Sequence, residues 1–88
     1  MTEPAEAQLK RLKIRAWRRG MRETDLVLGP YADACLAEMD GESLSAFEAL
    51  LAESDQDIHA WVTGAAAPPP RHAPLVRTLA RFAHRRHR

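Results

Sequence analysis

Lysine and arginine are missing from residues 26–70, a stretch that holds eight acids. Other scarcities bound the chain further. One cysteine, Cys35, excludes an internal disulfide and reads as a thiol in a reducing compartment. No run of 18 apolar residues is present, so no membrane-spanning helix is expected. The opening "MTEPAEAQLKRLK" lacks the charged-then-apolar order of a secretion signal. These features predict a soluble protein of the bacterial cytoplasm or an organelle matrix, and we take cytoplasmic as the expected location. Strand alternation and internal repeats are absent. So are a phosphate loop and a dinucleotide fingerprint.

The chain has 88 residues, which suits one domain of about five short helices with little room for a deep catalytic cleft. The net charge of +1 conceals a pattern. Residues 1–25 carry +3, residues 26–70 carry −8 and residues 71–88 carry +6. Basic ends around an acidic middle attract one another within a fold, or else form separate patches for a partner.

Helical spacing organises what is there. Residues 5–19 hold helix formers, with Leu9, Leu12 and Ala16 as a narrow stripe that Gly20 stops or bends. Residues 21–39 read as one helix kinked near Gly29-Pro30, or as two short ones. Asp40 can cap a helix carrying Leu44, Phe47, Leu50 and Leu51, although Ser45 with Glu48 offers a second start. Ser54, Asp55 and Asp57 crowd the start of a short helix with Ile58, Trp61 and Val62 on its apolar face, ended by Gly64. Residues 64–74, "GAAAPPPRHAP", read as a stiff linker, followed by a basic helix through Leu75, Val76, Leu79 and Phe82 and a fraying "HRRHR". The prediction is an all-α bundle in which residues 1–88 form a single domain.

Chemistry-bearing clusters are sparse. His59 reads as a solvated helix-face histidine. His84 and His87 are three apart, but the neighbouring arginines repel a cation, so no metal site is expected. Cys35 lies in an apolar stripe and reads as packing. Direct nucleic-acid binding is not expected, because the middle of the chain would repel phosphates and no helix-turn-helix is evident. No catalytic residue and no stably bound cofactor are expected.

"RRGMRETD", residues 18–25, is the densest charged stretch, and it surrounds a glycine. In one reading Gly20 ends a helix, and Arg19 with Glu23 is an exposed pair worth under about 1 kcal/mol. In the other, the missing side chain lets a partner backbone approach, beside an arginine fork and a carboxylate acceptor.

Arg19-Gly20-Met21-Arg22-Glu23 matches the RGxxE motif, and here the sequence resembles the succinate dehydrogenase assembly factors, also called flavinylation factors. "RAWRRGMRETDLVLGPYADACLAEM" resembles one block of that family and "FEALLAESDQDIHAWVTG" a second, in the family's order over residues 15–64. Ile58, His59 and Ser54 depart from the residues usual at their positions. The resemblance implies a five-helix bundle that binds the flavoprotein subunit of succinate dehydrogenase, and in bacteria often that of fumarate reductase. It implies promotion of covalent FAD attachment to that client, whose own groups do the chemistry, so the factor is no enzyme and the FAD ends on the client.

On this basis Arg19, Gly20 and Glu23 are expected to dock on the client, flanked by Arg18, Met21, Arg22 and Asp25. Asp55, Asp57 and Trp61 either add a secondary contact or serve to cap and pack their helix, with packing favoured for Trp61 and partial burial for Trp17. Replacing Gly20 or Glu23 is expected to spare the fold and reduce client flavinylation. The rival reading is a small helical adaptor or regulator acting through its basic terminal helix. Neither reading calls for membrane insertion.

Overall fold

The computed structural model describes the backbone of residues 5–86 and the side chains of residues 6–85. Five α-helices follow one another: α1 (Ala5–Trp17), α2 (Arg22–Cys35), α3 (Gly41–Leu51), α4 (Asp55–Thr63) and α5 (Ala73–Arg86). A 3-10 turn, Leu36–Glu38, prolongs α2. Among the described residues there is no strand. No helix of these residues is long and apolar enough to cross a membrane.

The stripe on α1 is as narrow as its sequence: Leu12 and Ala16 are fully buried, whereas Ile14 is 46% exposed. The helix stops at Trp17, and Gly20 supplies the left-handed φ of +98° that turns the chain into α2.

Gly29-Pro30 does not break α2, contrary to one of the two expectations for this segment. The helix runs through both residues, and both are buried. Proline removes a helical hydrogen bond, but tertiary burial overrides that loss here. Leu28, Tyr31 and Ala32 enter the core on either side of the pair. The Trp17 indole lies against Gly29 so closely that a Cβ there would fall 2.3–2.6 Å from its ring carbons. The indole N–H donates to Asp33 at 3.1 Å. Trp17 therefore has one face covered while remaining 39% exposed overall.

Capping sets the next two helices. Asp40 accepts the Ser43 N–H at 2.8 Å, so α3 begins at Gly41 and the Ser45 alternative is not used. Ser54 accepts the Asp57 N–H at 3.1 Å, and Gly64 closes α4 with φ +86°. Asp57 is thus an exposed acid in the first turn of α4, where the helix dipole favours it.

The proline-rich segment turns rather than running straight. The Pro69 C=O accepts the N–H groups of both His72 (2.9 Å) and Ala73 (3.0 Å), which starts α5 two residues before Leu75. Helix α5 reaches Arg86; His87, and with it the end of the expected fraying segment, lies outside the described residues.

Leu12, Leu28, Leu36, Phe47, Leu50 and Leu79 are fully buried at the centre. Tyr31 joins three helices there, stacking obliquely on Phe47 at 5.9 Å and edge-on against Phe82 at 5.4 Å. Burial raises the Tyr31 hydroxyl above its ordinary pKa, helped by Cys35. Cys35 itself is partly buried against the core, as expected.

Candidate functional site

One side chain of the segment between α1 and α2 anchors it across the bundle. Arg19 reaches across to the joint between α3 and α4. Its Nε donates to the Asp55 carboxylate at 2.7 Å, and its terminal nitrogens donate to the carbonyls of Leu51 and, at 2.6 Å, Glu53. Those carbonyls lie at and just beyond the end of α3, where the helix dipole is negative and carbonyls lack helical partners. Asp55 opens α4. A planar guanidinium with several donors in a fixed fork can serve all three acceptors at once. The side chains of Arg19 and Asp55 are only 11% and 17% exposed, so water screens this pair less than a surface ion pair.

The same segment is tied locally. Asp25 accepts the Arg19 backbone N–H at 2.9 Å, and the Met21 carbonyl accepts the Asp25 N–H at 3.0 Å. Thr24 is buried and makes a long contact, 3.4 Å, to the Asp55 carbonyl. At Gly20 a Cβ would meet only the Asp55 carboxylate, at an ordinary 3.8 Å. Backbone conformation, rather than lack of space, is what calls for glycine there.

The charged stretch is therefore divided. Arg19, Gly20 and Asp25 build the corner, together with Asp55. Arg18, Arg22 and Glu23 are exposed and have no side-chain hydrogen-bond or ion-pair partner among the described residues, and Met21 is half-buried beside them. The exposed Arg19–Glu23 pair of the simpler sequence reading does not form; Arg19 turns inward and Glu23 stands alone. Leu26, one turn beyond Glu23 on α2, is 45% exposed and continues the outward face. Its place between Asp25 and Val27 gives no sequence signal of that exposure.

Glu23 also stands on the rim of a groove between α2, α4 and α5, with a volume of about 450 Å³. Val27, Ile58, Val62, Ala80 and Ala83 give it an apolar lining, and His59 and His84 add imidazoles. His59, expected to be solvated, is half-buried in this groove.

A second polar knot braces the opposite end of the α3–α4 joint. The Glu53 carboxylate pairs with His72 at 2.7 Å and Arg71 at 2.8 Å, and His72 is 3% exposed. Its carboxyl is held below the usual carboxylate range, first by His72 and then by Arg71. Trp61 is half-buried and packs against the core, with its ring 5.7 Å from that of His72, in keeping with the packing role. Asp57 is not drawn into either knot.

These features define an all-α bundle whose charged corner is hydrogen-bonded underneath and exposed above. The family described as "Flavinator of succinate dehydrogenase" matches residues 10–83, and the chain belongs to that family. Similar proteins include "Succinate dehydrogenase assembly factor 2, mitochondrial" of Saccharomyces cerevisiae, 39% identical over 69% of this chain and 38% of the yeast protein. The protein of that name from Yarrowia lipolytica is 41% identical over 69% of this chain and 42% of its own length. That from Mycosarcoma maydis is 34% identical over 96% of this chain and 35% of its own length. The chain thus spans about two fifths or less of the curated relatives it matches.

One expectation is corrected here. The relatives are mitochondrial by name, which points away from the cytoplasmic location inferred from the sequence. Composition could not separate the two, since a lone thiol suits any reducing compartment.

Proposed function

We propose that this chain binds the flavoprotein subunit of succinate dehydrogenase and promotes covalent attachment of FAD to it, acting by docking rather than by catalysis. The family's description, a flavinator of succinate dehydrogenase, supports this choice of partner. The observation that carries the site is the division of the charged stretch: Arg19 is engaged internally, while Glu23, Arg22 and Arg18 are exposed and without partners among the described residues. A carboxylate and two guanidiniums held by a braced corner lose little freedom when they meet a client, so more of their interaction survives as binding.

On this reading Glu23 accepts hydrogen bonds from client groups, Arg18 and Arg22 donate to client carboxylates or carbonyls, and Met21 lies in the same contact. Arg19, Gly20 and Asp25 act through the shape of the corner. The flavin bond forms within the client by the client's own groups, and this chain favours one arrangement of them. Positioning of this kind can remove many kcal/mol from a barrier. The fumarate reductase flavoprotein, where the organism has one, is a client of the same chemistry. FAD is carried by the client and is not held stably by this chain.

The test is co-expression of the organism's succinate dehydrogenase flavoprotein with the wild type, with Glu23→Ala, or alone. Flavin fluorescence retained on the denatured flavoprotein band measures attachment. The expected result is a strong signal with the wild type and a weak one with a folded Glu23→Ala. Equal signals in all lanes would sink the proposal.

A further inference from the structure

The arginines of the described chain fall into two groups. Arg11 and Arg15 face Glu48 at 3.0 and 3.8 Å, Arg19 faces Asp55 and Arg71 faces Glu53. Arg18 and Arg22 at the corner, and Arg77, Arg81 and Arg85 on α5, have no such match; the three on α5 stand apart from the corner. They are exposed, and none has a hydrogen-bond or ion-pair partner among the described residues. Spaced four residues apart on α5, they form one ridge. The opposite side of α5 is committed to the core through Val76 and Leu79.

The ridge borders the groove that carries Glu23. A shallow depression lined by Ala80, Arg81, His84 and Arg85 shares Ala80 and His84 with that groove. The continuous surface therefore has an apolar floor, a carboxylate on the α2 rim and two unpaired guanidiniums on the α5 rim.

We propose that this surface is an extension of the docking site and is occupied by an acidic, amphipathic segment of the flavoprotein. An apolar side chain of that segment seats on Val27, Val62 and Ala83, and its carboxylates meet Arg81 and Arg85. The inference rests on the proposed function for the identity of the partner. Charge complementarity supplies the rest: guanidiniums without internal partners favour carboxylates that they can bind bidentately. The apolar floor calls for a side chain as well as charge, which a polypeptide supplies. An anionic lipid surface would meet the charge alone, because the large apolar side chains Val76 and Leu79 of α5 lie in the core and cannot insert.

The experiment uses the full chain and the purified flavoprotein subunit, with affinity measured by calorimetry at two salt concentrations. Arg81→Glu/Arg85→Glu is expected to weaken binding about tenfold or more and to flatten its salt dependence. Ala83→Phe, which fills the groove without changing charge, is expected to weaken binding while leaving the salt dependence as it was. Circular dichroism verifies folding; the charge reversal lies at exposed positions and keeps the test valid if Ala83→Phe misfolds. Wild-type affinity in the charge reversal, with loss in Glu23→Ala, would overturn this inference and leave the proposed function standing. Wild-type affinity in both, or no binding by the wild type, would overturn the two together. Vesicles containing anionic phospholipid form the last arm. If the charge reversal abolishes vesicle binding but spares flavoprotein affinity, the ridge is a lipid contact and the inference fails.

Discussion

Two glycines illustrate different demands. Gly20 has room for a Cβ but sits at φ +98°, where an L side chain is strained, so Gly20→Ala should cost about 1–2 kcal/mol. Because the corner positions Glu23, the same variant should also lower client flavinylation. Glu23→Ala should leave the melting temperature near wild type and lower flavinylation alone. Thermal melts of the two variants beside the gel assay would separate shape from contact. Gly29 has an ordinary φ but no room. Gly29→Ala drives a methyl into the Trp17 indole and should cost about 1–3 kcal/mol. If that contact is the cause, Trp17→Ala should abolish most of the Gly29→Ala penalty, which a double-mutant cycle reads as coupling between the two sites. A glycine inside a helical pattern with an aromatic twelve residues earlier is a hint of close approach, but sequence alone does not say that the two helices cross there.

At the scale of elements, the ends of helices are written locally and the middle of α2 is not. Asp40 and Ser54 cap α3 and α4 as their spacing predicts. Asp40→Ala and Ser54→Ala should each cost about 0.5–2 kcal/mol by chemical denaturation, with α4 the more sensitive because it spans only nine residues. Capping by Asp40 also holds its carboxyl below the ordinary range through the Ser43 N–H. In α2 the local breaker signal loses to burial: Leu28, Tyr31 and Ala32 surround Gly29-Pro30 in the core. The linker 64–74 shows the same competition. Three prolines favour extension, yet the segment turns so that His72 reaches Glu53 and Arg71 meets the same carboxylate.

For the whole molecule, the acidic middle is partly neutralised by the basic ends, at Glu48, Glu53 and Asp55. The Glu53 knot gives this a pH dependence. Its folded-state pKa lies below the unfolded value of 4.5, so its stabilisation is present above about 4.5 and is lost as pH falls through the lower folded value. Glu53→Gln should therefore lower stability at neutral pH and reduce the acid-side loss of stability seen in the wild type, measured as denaturation midpoint against pH. Phe47 is fully buried, and Phe47→Ala should cost about 3–5 kcal/mol, enough to threaten a domain of this size.

The all-α class, the caps, the core stripe of α3 and the charged stretch around Gly20 were all determined by the sequence, because each depends on groups within a turn or two of one another. The family resemblance was legible for the same reason, in two contiguous blocks. Which charges remain available depends instead on long-range packing. Arg19 meets Asp55 across 36 positions of sequence, and that pairing turns half of the motif inward. Glu23 and the α5 arginines stay outside because no side chain of opposite charge among the described residues reaches them. The difference is physical: capping and periodicity act along the chain, whereas the partner of a long, charged side chain is set by which distant elements the hydrophobic core brings together.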